Sequence, residues 1–225
     1  MTDTPFWPQW LPALQLSVQV ATAATVLATI IALPVAFVMS RWKRRFGWLI
    51  ESIMLLPLVM PPTVVGYALV YILGRQGVVG NIVSSITGES LLFTQTAAVI
   101  AATIVALPLV YLPARAGFAS IDRDLEDEAR LNGAGTLAVF FRVSIPLARR
   151  LIASGVALAF ARAIGEFGAT VMVLGVGPGR LTLPISVYAN YEAGRLTAAL
   201  PAVMVLMVIS VAIALTYQRL LRKEN

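Results

Sequence analysis

From Pro12 to Ser40 the chain runs for about 29 residues without one charged side chain, roughly 43 Å at helical rise. That is enough to cross the ~30 Å hydrocarbon core of a bilayer with tilt or overhang. Four more apolar blocks follow, at Ile50–Leu73, Phe93–Leu112, Leu151–Val173 and Thr197–Leu220, interrupted only by Glu51, by Arg162 and Glu166, and by Arg219. Inside lipid every backbone amide and carbonyl must find a partner within the protein, so blocks of this length fold as helices. The chain is 59% hydrophobic and 12% charged, against about 25% charged in soluble domains. The expected fold is an all-α integral membrane protein, a polytopic bundle of about five transmembrane helices. It forms a single domain over residues 1–225, with spans near 12–40, 50–73, 93–112, 151–173 and 197–220.

The charges orient the bundle. Thirteen of the 17 basic residues fall in three segments: Arg41 to Arg45, the stretch holding Arg115, Arg123, Arg130, Arg142, Arg149 and Arg150, and the end with Arg219, Arg222 and Lys223. The positive-inside rule puts all three in the cytoplasm. With five crossings the amino terminus is then outside and the carboxyl terminus inside, and Trp7 and Trp10 suit the outer interface. The segments from Gly74 to Leu92 and from Leu174 to Leu196 become outer loops. A net charge of +6 would fit a nucleic-acid binder only if the basic residues shared an exposed face with aromatics, and they do not.

Cysteine and histidine are both absent, which removes disulfides, zinc sites, thiol nucleophiles and histidine acid/base chemistry. Gly175 to Arg180 reads GVGPGR but lacks the Gly-Lys-Ser/Thr ending of a phosphate loop and is placed in an outer loop. The acids Asp122, Asp124 and Glu126 alternate as in a calcium loop, yet Asp127 stands where the turn glycine is needed, so no metal is expected. Nothing here hydrolyses ATP, and the chain is expected to be non-catalytic.

The loop 119–146 is the longest run without a membrane-grade block, and the most acidic. Ser120 can cap a short helix, Asp122 and Asp124 suit its positive end, and Asn132 with Gly133 can supply the left-handed residue that ends it. Ile121, Leu125 and Ala129 give an apolar stripe, leaving Arg123, Glu126, Asp127 and Arg130 on the remaining surface. A second helical piece starts at Thr136, with Leu137, Val139, Phe140 and Phe141 as an apolar knob. Ser144 and Pro146 open the next span. Two pieces hinged at Gly133 to Gly135 make a projection that a partner with a groove could grip; a solvated loop helix is the plain alternative.

Two motifs lie at mid-membrane depth. LPLVMPPTVVGY, with Pro57, Pro61, Pro62, Thr63 and Gly66, breaks the second span, either as a packing kink or where a path is lined. FARAIGEFGA places Arg162 and Glu166 four residues apart on one helical face, with Gly165 and Gly168 beside them. An ionisable pair in lipid should face the bundle interior, as a gate element or as a structural pair fixing helix packing.

These motifs resemble a known family. The run from Leu125 to Pro146 is similar to the signature loop of bacterial ABC importer permeases. Its marks are Glu126 and Asp127 at the acidic position, Ala129, the anchor glycine Gly133 followed by Ala134 and Gly135, the pair Phe140 and Phe141, then Ile145 and Pro146. With LPLVMPPTVVGY and FARAIGEFGAT in the same order, the chain resembles molybdate importer permeases, with sulfate and tungstate permeases as close relatives. The resemblance implies a homodimer in the bacterial inner membrane, with one translocation path between its subunits. It also implies two cytoplasmic ATP-binding subunits gripping the signature loops as coupling helices, with ATP and Mg bound there and no cofactor in this chain. An extracytoplasmic binding protein would deliver the oxyanion. Glu126, Asp127, Ala129, Gly133, Ala134, Gly135, Phe140, Phe141, Ile145 and Pro146 are then expected at the ATPase interface. Pro61, Pro62, Thr63, Gly66, Arg162, Glu166 and Gly168 are expected along the path or gate. An ion-driven secondary transporter is the competing reading, disfavoured by the lack of internal repeats and by Glu166 being the one clear acid at depth.

Overall fold

The computed structural model describes residues 10–42, 47–177 and 179–221. Trp7, Lys43, Arg44, Arg45, Pro178, Arg222 and Lys223, invoked above, lie outside the described residues. The described chain is helical throughout: α1 (Trp10–Arg41), α2 (Gly47–Val59), α3 (Pro62–Leu73), α4 (Val78–Thr87), α5 (Gln95–Ala119), α6 (Arg123–Leu131), α7 (Thr136–Val139), a π-helical turn (Phe140–Ser144), α8 (Ile145–Ile164), α9 (Gly168–Leu174), α10 (Leu183–Glu192) and α11 (Leu196–Leu221). α1, α5, the run from α7 through α8, and α11 are each long and apolar enough to cross a membrane, and the bent pair α2–α3 makes a fifth. The expected polytopic helical bundle is what forms.

Its centre is α1, α5 and α8. Apolar surface gains little by leaving lipid, so helices associate here through small residues that let backbones approach. On α1, Ala21, Ala24, Ala28, Ala32 and Ala36 are fully buried; on α5, Ala98, Ala102, Ala106 and Ala114 recur at multiples of four and are fully buried as well. Glycines do the same between α5 and α8. A Cβ on Gly117 would meet Ala148 at 3.1 Å, and one on Gly155 would stand 3.0 Å from the Leu109 carbonyl oxygen.

That last contact explains a correction. The third span does not end at Leu112 but continues to Ala119, with Pro108 and Pro113 inside the helix. Pro113 has no amide to give to Leu109, four residues earlier, and the freed carbonyl faces the close approach of Gly155 on α8. The helices α1 and α11 begin and end within two residues of the apolar blocks 12–40 and 197–220.

The second span is broken, as its prolines predict, and the fourth, expected to run unbroken, is interrupted as well. α2 and α3 are bent by 111° at Met60–Pro61. Each residue before a proline is pushed to extended backbone, and Pro61 (φ −54°, ψ 133°) both follows Met60 and precedes Pro62. Pro61 then turns its carbonyl to the amides of Val64 and Val65, at 2.9 and 3.2 Å, starting α3. The fourth crossing begins earlier than Leu151, growing directly out of α7, and stops at Ile164; Gly165, Glu166 and Phe167 interrupt it before α9. Both segments expected as outer loops hold a helix, α4 and α10, and Gly88 (φ 76°) closes α4 in a left-handed turn. α10 is held to α1 by the Leu183 amide, which donates to Ser17 Oγ at 2.7 Å. Near the basic end α2 is tied to α5 by Arg115 and Glu51, 2.7 Å apart.

Candidate functional site

The loop joining α5 to α8 is fastened to the spans by one buried carboxylate. Ser120 does not cap α6; it ends α5, and the cap is Asp122, whose Oδ1 accepts from the Asp124 amide at 3.1 Å. The face that meets the bundle is the one carrying Glu126, not the expected Ile121, Leu125 and Ala129 stripe. Leu125 is therefore left half-exposed, and Glu126, expected on the polar surface, is 2% exposed. Its Oε2 accepts from Arg41 Nε at 2.9 Å, its Oε1 accepts from Ser144 Oγ at 2.7 Å, and Arg41 Nη2 closes a bidentate pair. Arg130 lies 3.6 Å away. One side chain thus joins the end of α1, the loop helix and the start of α8. A charge-assisted, fork-to-fork pair is the strongest hydrogen-bond arrangement available to a carboxylate.

Aromatic packing surrounds this joint. Arg41 Cζ sits 3.9 Å above the Phe37 ring, and Phe37 stands edge-on to Phe118 of α5 and Phe140 of the π turn, with centroids 5.6 and 5.0 Å apart. Burial alone would push the Glu126 carboxyl up, but hydrogen bonds from Arg41 and Ser144 and the charges of Arg41 and Arg130 outweigh it. The group is held below its ordinary value and stays ionised.

Outside the joint the loop presents a mixed face. Asp127 is exposed, paired with Arg130 at 2.5 Å; Ala129 and Ala134 are half-buried. Leu131, Leu137 and Phe141 are exposed, and Phe141 packs on its buried neighbour Phe140 at 4.9 Å. The two phenylalanines have opposite roles, one inside and one out. Gly133 carries the left-handed turn (φ 87°) and Asn132 does not (φ −82°); Gly135 is extended ahead of α7. Ile145 is half-buried and Pro146 exposed in the first turn of α8. A Cβ on Gly133 would meet nothing within 4 Å, so Gly133→Val probes backbone strain alone. A loss of about 1–3 kcal/mol of local order is expected, read as faster amide exchange in α6 with the spans unchanged.

At the opposite depth the two interruptions meet. α3 packs along α9, and a Cβ on Gly66 would lie 2.9 Å from Ala169 Cα, one on Gly168 2.9 Å from Pro62 Cβ. Arg162 and Glu166 do pair, but not on one continuous helix: Arg162 is in the last turn of α8 and Glu166 in the break. Glu166 is buried, and its second oxygen accepts from the Ala169 amide at 2.7 Å, taking the first turn of α9. Arg162 is one-third exposed. Thr63 and Pro61 are exposed, Pro62 half-buried. So Pro61, Pro62, Thr63, Gly66, Arg162, Glu166 and Gly168, far apart in sequence, form one region.

Residues 9–224 match the family model described as binding-protein-dependent transport system inner membrane component. The chain belongs to this family. It is 41% identical over 196 residues to YvgM of Bacillus subtilis (strain 168), covering 87% of this chain and 86% of that one. It is 36% identical over 182 residues to the molybdenum transport system permease protein ModB of Escherichia coli (strain K12), covering 80% and 79%. Among solved structures it resembles a bacterial alginate ABC transporter in complex with its pentasaccharide-bound periplasmic protein, with a TM-score of 0.73 and 18% identity over 96% of this chain and 79% of that one. The inward-facing MetNI methionine ABC transporter gives 0.67 and 15% over 99% and 100%. At such identity the structures establish the fold, that of ABC transporter membrane subunits.

For this permease, sequence reasoning missed Arg41, Ser144, Phe37 and Phe118 as parts of the loop's anchorage. Arg41 was legible only as one of a basic cluster stopping α1. The one available signal was that α6 carries more acid than its own arginines balance.

Proposed function

We propose that this chain is the membrane-spanning subunit of an ATP-driven importer that moves an oxyanion, molybdate first, into the cytoplasm. It acts as a homodimer in the inner membrane, its basic end inward and its amino terminus outward. Two ATP-binding subunits grip loop 119–146, and an extracytoplasmic protein delivers the anion. Relatives named for molybdenum transport at 36–41% identity support the substrate; tungstate and sulfate are the alternatives of the same chemistry.

The observation that carries the mechanism is the Glu126 joint. A loop that transmits force must not swivel on its tether, and here one carboxylate ties it to α1 and α8 while three aromatic rings fill the space between. Closure of the ATPase pair would push on exposed Leu131, Leu137 and Phe141. The push would then pass as a rigid-body movement into α1, α5 and α8. At the far end of α8 lies the break at Gly165–Phe167, packed on the Pro61–Pro62 break, where short helices can re-aim without deforming a long one. Arg162 offers an anion a positive site already partly neutralised by Glu166, which suits passage over retention.

Proteoliposomes holding the chain, its ATPase partner and the delivery protein test this. Radiolabelled molybdate uptake should require ATP and all three proteins, and excess tungstate should compete better than sulfate. Uptake without the ATPase would overturn the reading. In cells, a tag at residue 80 should react with impermeant reagents and one at residue 130 should not; the reverse would invert the orientation.

A further inference from the structure

An open groove between α1, α8 and α11 plays no part in the scheme above. Ala153, Ala157 and Phe160 of α8, Val26 of α1, and Ile213 and Leu220 of α11 line an open cleft of about 560 Å³. Its lining is almost wholly apolar apart from Thr22, Thr25 and Thr216, and two of these, Thr25 and Thr216, spend their hydroxyls on the carbonyls of Ala21 and Ala212 at 2.7 and 2.8 Å. From Arg149 to Phe160 the cleft side of α8 runs roughly 16 Å, about half of a ~30 Å hydrocarbon core, which is the depth of one leaflet.

The mouth is charged with one sign. Arg149 and Arg150 precede Ala153 by four and three residues and so continue the same face of α8; Arg219 follows Thr216 by three on α11. All three are exposed, and none joins an ion pair among the described residues. α1, α8 and α11 contain no aspartate or glutamate at all. Among the described residues of these three helices nothing would attract the ammonium group of a zwitterionic headgroup, and this face packed two-fold on a second copy of itself would bring arginines against arginines.

We propose that this cleft binds one acyl chain of an anionic phospholipid from the leaflet on the basic side, with Arg149, Arg150 and Arg219 holding its phosphate. The lipid would wedge α11, which buries little of itself, against α8 and α1.

The full chain purified in detergent, titrated with phosphatidylglycerol or phosphatidylcholine of identical acyl chains and read by native mass spectrometry, decides it. Phosphatidylglycerol should be retained far more strongly. Each arginine removed should weaken it about fivefold, so Arg149→Ala/Arg150→Ala/Arg219→Ala together weaken it roughly a hundredfold. Ala157→Trp fills the cleft and leaves the arginines; it should lower retention of both lipids. Equal retention of the two lipids by the unaltered chain would overturn the proposal without any variant. So would full phosphatidylglycerol retention in the triple variant or in Ala157→Trp, or a disulfide between two copies through Ala157→Cys, which would mark the occupant as protein.

Discussion

Glu126→Ala should abolish ATP-dependent uptake while leaving the chain inserted in the membrane. The substitution strips Arg41 of its partner and Ser144 of its acceptor in one step. Removing one member of a buried pair costs about 3–5 kcal/mol, and since Arg41 keeps some access to water the lower end, ~3 kcal/mol, is expected. The spans keep their own apolar packing without Glu126, so the cost falls mainly on the docking of α6. ATP hydrolysis by the partner would continue without transport. Arg41→Met/Glu126→Leu removes both charges and should recover most of the thermal stability lost by either single change, yet not coupling, because an apolar joint lacks the directional bonds to α8. Equal uptake by Glu126→Ala would dismiss the joint as a transmission element. The pH dependence follows in sign. Because the folded carboxyl titrates below its ordinary value, its contribution is complete above about pH 4.5 and fades as the pH drops through the folded value. Melting of the solubilised chain should therefore lose an acid-sensitive component in Glu126→Gln.

Glu166→Ala should produce the second large loss, of a different kind. Arg162 would be left without its counter-charge at membrane depth, and the Ala169 amide without its acceptor, so both the end of α8 and the start of α9 are released. A destabilisation of about 3 kcal/mol is expected with transport lost, against near-normal docking of the ATPase if it grips, as proposed, the loop at the other end of α8. Arg162→Leu/Glu166→Leu separates packing from passage. If the pair is structural only, the double variant regains uptake along with stability; if Arg162 meets the anion, stability returns and uptake does not. Binding-protein-stimulated ATP hydrolysis, measured beside uptake, shows whether the failure is in signalling or in the path.

The loop shows where reading the chain alone stopped. The glycine that turns it, the spacing from Gly133 to Pro146 and the acid-rich helix were all legible, because turns, caps and composition act over a few residues. Which acid is buried was not. Leu125 is exposed and Glu126 buried because the carboxylate finds partners inside, Arg41, 85 residues away, and Ser144. Prolines gave a similar lesson. Pro34, Pro57, Pro108 and Pro113 are all accommodated inside helices, while the adjacent Pro61 and Pro62 break one, since only there are two successive residues denied helical backbone. Arg162 and Glu166 were recognisable as a pair from spacing, but that Glu166 leaves the helix to start another depends on Pro62 and Gly66 pressing against Gly168 and Ala169.

The sequence by itself determined that this chain lives in lipid, about how many times it crosses, which end is basic and where its polar handle lies. Those follow from hydrophobic length and charge placement, which act on each segment separately. Only the tertiary structure decided which carboxylate locks the handle to the spans and that two distant breaks become one region. Burial and ion pairing belong to the neighbours a side chain acquires, and no segment carries its neighbours within it.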